Sequence, residues 1–148
     1  MQRPPRITVR RVGWNVAGAA LRAIRTAVFV AEQNVPVALE WDGVDDQCLH
    51  VLAESAEGEA IGTGRLLPDG HIGRMAVLKR WRRTGVGSAI LTELIDAARE
   101  RRHSAVELSA QTHAIEFYRR HGFTVVSGEY LDAGIPHRRM RMSLATLP

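Results

Sequence analysis

Apolar positions along the chain change period several times, and each change marks a predicted element. Residues 7–12 read as an opening strand that ends at Gly13. Beyond it, Val16, Ala20, Ile24 and Val28 recur at helical spacing, with Leu21 and Phe29 beside them. This predicts a helix through residues 16–33, capped by Asn15 and stopped by Pro36. Residues 40–46 carry four acids, one glycine and no base, and are predicted to be a loop. Short apolar runs at 49–53, 60–67 and 72–77 predict three strands. Glu57-Gly58-Glu59 and Pro68-Asp69-Gly70 separate them, so the expected arrangement is an antiparallel meander.

A second helical stretch covers residues 84–102. Val86, Ile90, Leu94 and Ala98 form its apolar row, Leu91 and Ile95 flank that row, and Glu93, Arg99 and Glu100 lie opposite. Residues 105–110 then predict a buried strand, and 113–121 a short helix closed by Gly122. A strand at 123–126, reaching toward Tyr130, a connector at 131–136 and a closing strand at 137–144 complete the chain. The order β-α-βββ-α-β-α-ββ predicts one α/β domain over residues 1–148, a mixed sheet covered by helices. Helices between the later strands imply parallel crossovers there.

Composition narrows the picture. The chain has 148 residues, 45% of them hydrophobic and 24% charged, as in a soluble globular protein. It holds no 18-residue apolar run, and its first residues lack the apolar region of a signal peptide, so a cytoplasmic protein without a membrane partner is expected. One cysteine, Cys48, allows no internal disulfide. The net charge is +4, and among the 20 basic residues Lys79 is the single lysine. Basic clusters occur at 79–83 and 99–102, but only the first adjoins a glycine turn, Thr84-Gly85-Val86-Gly87-Ser88. That placement favours a small anionic ligand over a nucleic acid. Helix-start amides have no intrahelical acceptor and carry the positive end of the helix dipole, and glycine lets a phosphate approach them.

The turn is neither of the two familiar nucleotide loops. No G-x-x-x-x-G-K-[ST] string exists, and Gly85-Val86-Gly87-Ser88-Ala89-Ile90 has Ile where a dinucleotide fingerprint needs Gly or Ala. Gly62-Thr63-Gly64 lies within a predicted strand and reads as a bulge or a close packing point. Six histidines form no H-x-x-x-H pair, so no metal site is expected. No G-x-S-x-G elbow is present.

Arg82-Arg83-Thr84-Gly85-Val86-Gly87 resembles the R/Q-x-x-G-x-G/A signature of the GNAT superfamily of acyl-CoA-dependent N-acyltransferases. Arg74-Met75-Ala76-Val77 precedes it as that family's strand does. Ala114-Ile115-Glu116-Phe117-Tyr118-Arg119-Arg120-His121-Gly122-Phe123 is similar to its A-x-x-F-Y-x-x-x-G-F segment. VFVAEQNVP at 28–36, Glu40 with Asp42, and Gly134-Ile135-Pro136-His137 resemble the small ElaA-like bacterial branch. The resemblance implies an antiparallel N-terminal meander, parallel splayed central strands and helices on both faces. It also implies acetyl-CoA as cosubstrate, a small-molecule or peptide amine as acceptor, and a fold on which homodimers are common.

By the same resemblance, the amides of Arg83, Thr84, Gly85, Val86, Gly87 and Ser88 would hold the pyrophosphate, with Arg82 adding charge-assisted hydrogen bonds. The edge of Met75, Ala76 and Val77 would pair with pantetheine, and the Val77 N–H would face the thioester carbonyl. Gln111 stands where the family often has a cofactor-contacting Asn, and Phe117 adjoins the cofactor side. Tyr118 would be the general acid, a phenol of pKa about 10. An alkylammonium of pKa about 10.4 must first lose a proton. Glu32, Glu40, Asp42, His71, Glu107 and Ser109 are candidates to take it. Glu32, Glu40, Asp42, His71 and His137 are also the candidate acceptor contacts, and residues 40–46 could attract a cationic amine. The activity implied is direct acetyl transfer to a primary amine in a ternary complex. A non-catalytic acyl-CoA-binding or sensor domain is the alternative.

Overall fold

A computed structural model describes residues 6–144, so the two ends of the expected 1–148 domain lie outside the described residues. The opening strand β1 (Ile7–Val12) pairs with β2 (Leu49–Ser55), which pairs with β3 (Ala60–Leu66), which pairs with β4 (Ile72–Val77). All three ladders are antiparallel, as the meander required. A second sheet has the order β5 (Ala105–Gln111), β8 (Ile135–Ser143), β6 (Thr124–Val125), with β7 (Tyr130–Asp132) also on β8. Its ladders are antiparallel too. Among the described residues, parallel pairing occurs only as an isolated bridge between His71 and Glu107. The crossover expected for the later strands therefore brings β5 beside β4 at one point, and β5 takes β8 as its ladder partner.

Helices cover both faces of the first sheet. Helix α3 (Val86–Glu100) buries Val86, Ile90, Leu91, Leu94 and Ile95 against it, the row expected from the sequence. The glycines of β3 let α3 lie this close. A Cβ on Gly62 would come within 2.8 Å of Ile90, and one on Gly64 within 2.8 Å of Leu94. Gly64 also faces a bulge. Thr63 pairs with Ala76 and Arg65 with Gly73, leaving Arg74 and Met75 opposite one residue. Arg74 takes φ 49°, in the left-handed region.

On the other face, α1 (Trp14–Arg25) starts from Gly13, not from an Asn15 cap. Its buried face is Leu21 and Ile24, joined by Val28, while Val16 is 90% exposed. The chain does not continue as α-helix. Residues Thr26–Glu32 form a π-helix, and the Val35 N–H closes on the Phe29 carbonyl at 2.8 Å. The short α2 (Val37–Glu40) follows Pro36.

Arg25 is a buried residue that apolar periodicity does not mark. It is 1% exposed, with Nε donating to Glu40 Oε2 at 2.7 Å and a terminal nitrogen to Asp45 Oδ1 at 2.6 Å. Arg65 donates to Asp45 at 2.8 Å and to Asp42, and the bulge turns Arg74 onto the Glu40 carbonyl at 3.1 Å and Asp42 at 3.3 Å. The acidic stretch 40–46 is thus the wall of a buried ionic cluster, with Arg25, Arg65 and Arg74 offset by Glu40, Asp42 and Asp45.

The Arg65 hydrogen bonds hold the Asp42 carboxyl at about 2, below its ordinary 3.8. Asp45 is desolvated, which raises it, but Arg25 and Arg65 bring it below the usual range. A carboxyl depressed in the folded state contributes stability above its unfolded pKa and loses it as pH falls through the folded one. Stability should therefore decline between about pH 4 and pH 2. Desolvation pushes Glu40 the other way, so its protonation does not add to that loss. Circular dichroism against pH should show a shallower acid limb in Asp42→Asn, and an unchanged limb would refute this assignment.

Candidate active site

The edges of the two sheets define the site. Strands β4 and β5 run side by side from the His71–Glu107 bridge, and Glu107 N–H donates to Gly70 O at 3.3 Å. Beyond that point, among the described residues, no bridge joins them. The gap opens toward Val77 on one side and Gln111 on the other. Antiparallel pairing alternates between edges. Leu78 N–H donates to Ile61 O at 2.9 Å, so the Val77 peptide groups point away from β3 and into the gap.

At the mouth of the gap, residues Lys79–Trp81 turn the chain into the glycine segment. Arg83 has φ 64° and Gly85 φ 91°, left-handed positions that turn the chain sharply into α3. Helix α3 begins at Val86 with no side-chain cap, and its first backbone bond runs from Ala89 N–H to Gly85 O at 3.1 Å. The N–H groups of Val86, Gly87 and Ser88 have no acceptor among the described residues. A Cβ on Gly87 would come within 3.4 Å of Phe117 Cζ and fill the space beneath that ring. Unpaired amides with a glycine-kept space beside them fit a pyrophosphate group.

The side wall comes from α4 (Ile115–Arg120) and the 3-10 turn Thr112–Ala114 before it. Tyr118 is half-buried, and its hydroxyl points at Met75 Sδ of the β4 edge, 3.8 Å away. Desolvation pushes the phenol up to about 12, so it keeps its proton through the neutral range. His121 Nε2 lies 3.0 Å from Ser88 Oγ and ties α4 to the first turn of α3. Gly122 has φ 99° and closes α4, as expected.

The π-helix spans the mouth. Glu32 forms a two-pronged pair with Arg82, at 2.6 and 2.7 Å, while Arg82 Nε donates to Val77 O at 3.0 Å. Next to it, Gln33 accepts from Gln111 Nε2 at 2.8 Å. One strap therefore touches the chain after β4 and the end of β5. Such π-turns are frequent at functional sites.

The remaining candidates fall elsewhere. Glu40 is 2% exposed and committed to Arg25, and Asp42 to Arg65, so neither carboxylate is free for another partner. His71 sits at the closed end of the gap, between Asp69 at 3.0 Å and Glu107 at 3.4 Å. Val77 is six residues further on, roughly 20 Å along a strand. His137 lies opposite Gln111 in the β5–β8 ladder, bonded to Ile135 O at 2.6 Å and stacked on Tyr130. Tyr130 bonds Ser109. Residues 131–136, expected to be a connector, instead form a hairpin through Ala133 and Gly134, at φ 52° and 77°. That hairpin brings Tyr130 to His137. Among the described residues, no cluster of three His, Cys, Asp or Glu side chains could hold a metal ion.

The class is defined by a mixed α/β fold in which two strand edges part beside a helix that begins on unpaired amides. Residues 19–144 match the acetyltransferase (GNAT) domain family, and the chain belongs to it. The uncharacterized N-acetyltransferase YjcF of Bacillus subtilis is 42% identical over 121 residues, covering 79% of this chain and 86% of its own. ElaA of Escherichia coli is 31% identical, over 80% of this chain and 82% of its own. Among solved structures, an acyl-CoA N-acyltransferase from Pseudomonas aeruginosa superposes with a TM-score of 0.82 at 32% identity, covering 93% of this chain and 100% of that one. ElaA superposes with a TM-score of 0.82 over 93% of this chain and 100% of its own. No helix among the described residues is long and apolar enough to cross a membrane.

Proposed function

We propose that this protein is an N-acetyltransferase that moves an acetyl group from acetyl-CoA to a primary amine, with both substrates bound together. One observation carries the reading. The unpaired amides of α3 lie at the same mouth as the free β4 edge, and the Tyr118 hydroxyl faces that edge.

Acetyl-CoA, when bound, supplies the acetyl group as a thioester. Residues 83–88 hold its pyrophosphate through backbone amides, with Arg82 as the neighbouring cation. The β4 edge at Met75–Val77 holds the pantetheine amides as a strand edge holds an added strand. The Val77 N–H donates to the thioester carbonyl oxygen, where negative charge grows during attack. Tyr118 holds a proton for the departing sulfur. The acceptor enters from the side formed by Glu32, Gln33, Gln111 and His137, and a peptide or a small molecule would both suit so open a mouth. Nothing in this scheme calls for a metal.

Thermal denaturation with acetyl-CoA, CoA, ATP and single-stranded DNA tests the reading. Saturation at 100 times Kd should add about 2.7 kcal/mol, or roughly 5–10 °C in Tm, with both CoA species and not with DNA. No shift with either CoA species refutes it. A shift without thiol release across a broad panel of amines would leave an acyl-CoA-binding domain without the transfer step.

A further inference from the structure

Arg82 is placed to meet an anionic ligand, yet in this structure it already holds an anion. Three of its five N–H groups are engaged, one on Val77 O and two on the carboxylate of Glu32. The pair is half-exposed, so it is neither a core ion pair nor a fully solvated one. Glu32 ends the π-helix, and the next residue, Gln33, is bonded to Gln111 across the mouth. A cavity of about 400 Å³ lies beside the pair, lined by Ala27, Val28, Glu32, Leu78, Lys79 and Arg80. The Glu32 carboxylate therefore has open volume on its flank, with two further cations at its border.

From this geometry we infer that Glu32 and the pyrophosphate compete for Arg82, and that donor binding exchanges one anion for the other. The inference rests on the reading of residues 82–88 as the pyrophosphate site. A carboxylate and a phosphate compete for the same guanidinium fork, and the phosphate brings more charge and more acceptor oxygens. Exchange would leave Glu32 as an unpaired carboxylate on the strap that spans the mouth. There a cationic amine is its natural partner. A single carboxylate would then face Arg82 or the acceptor, according to which anion Arg82 holds. Burial of the strap is slight at Glu32, so movement of its side chain costs little packing.

Two measurements test this, both on the full chain with CoA as the probe. Isothermal titration should find that Glu32→Gln binds CoA about two- to fivefold more tightly than the parent, the range of a half-exposed ion pair removed as competitor. Equal or weaker binding overturns the exchange. Carbon-13 NMR then follows the Glu32 carboxyl, whose resonance is assigned by its loss in Glu32→Gln. In the free protein its midpoint lies below the usual carboxylate range, because Arg82 donates to it. At saturating CoA it should rise to the ordinary range or above. A midpoint that stays depressed means Arg82 keeps Glu32, and overturns the exchange even if CoA binds. Failure of both proteins to bind CoA would instead remove the pyrophosphate reading itself, and this inference with it.

Discussion

Arg25→Ala is expected to lower stability by about 3–5 kcal/mol, because it removes the nearer cation from two buried carboxylates and leaves Asp45 with Arg65 alone and Glu40 with Arg74 at 3.4 Å. For a domain of this size that is roughly 6–20 °C in Tm. The Glu40 and Asp45 carboxylates accept from Arg25 at 2.7 and 2.6 Å inside a region where Arg25 is 1% exposed. Trp41 also loses the guanidinium that packs 4.7 Å over its ring. A double-mutant cycle with Glu40→Gln separates the causes. If the cost is an orphaned carboxylate, the double variant should lose less than the sum of the single losses. Urea denaturation measures all three variants, and a loss below about 1 kcal/mol for Arg25→Ala would refute a buried ionic cluster as the anchor of this region.

Tyr118→Phe should reduce turnover by roughly 10²–10⁴-fold, the usual worth of a positioned proton donor. CoA affinity should stay within about twofold, since the ring is retained and the proposed pyrophosphate contacts lie on the glycine turn and the start of α3. The hydroxyl has no strong partner, only Met75 Sδ at 3.8 Å, so removing it leaves no buried acceptor unsatisfied. The proton held up to about 12 also means that ionisation of Tyr118 should not limit activity below about pH 10. Stopped assays of thiol release, paired with CoA titration, decide the matter. Lost CoA binding would mark Tyr118 as a packing residue, and unchanged turnover would move proton donation to another group.

What the sequence makes legible here is local. The α3 row at Val86, Ile90, Leu94 and Ala98 repeats at helical period, and all four are buried. The glycine turn and the Phe117-Tyr118 segment are short strings, and each lies on the element predicted for it. Gly62 and Gly64 are both packing points for α3, and Gly64 also faces the bulge, the two roles their place in a strand suggested.

Long-range polar pairs are a different matter. Arg25 sits on a helix where a basic residue ordinarily marks the solvent side, and the three acids that neutralise this cluster come from residues 40–46. No periodicity encodes that match, so the acidic stretch reads from the sequence only as a charged loop. The π-helix is hidden for a related reason. Val28 and Phe29 keep an apolar spacing that an α-helix would also produce, and the bond from Gln33 N–H to Val28 O, five residues back, is what shows the change. Glu32 meets Arg82 across 50 residues and Gln33 meets Gln111 across 78, pairs that require the fold before they can be named. The β7–β8 hairpin was obscured by Ala133, which adopts a left-handed conformation that glycine or asparagine usually signals.

The free edge of β4 carries a hazard as well as an opportunity. An unpaired strand edge is a template on which any extended chain can add itself, including another copy of the same protein. Here the edge is short and broken. The bulge at Arg74 and Met75 interrupts its regular spacing, and Arg82 already caps the Val77 carbonyl. A foreign strand therefore meets no continuous row of donors and acceptors. The bulge and the Arg82 contact thus work against strand addition by another copy of the chain.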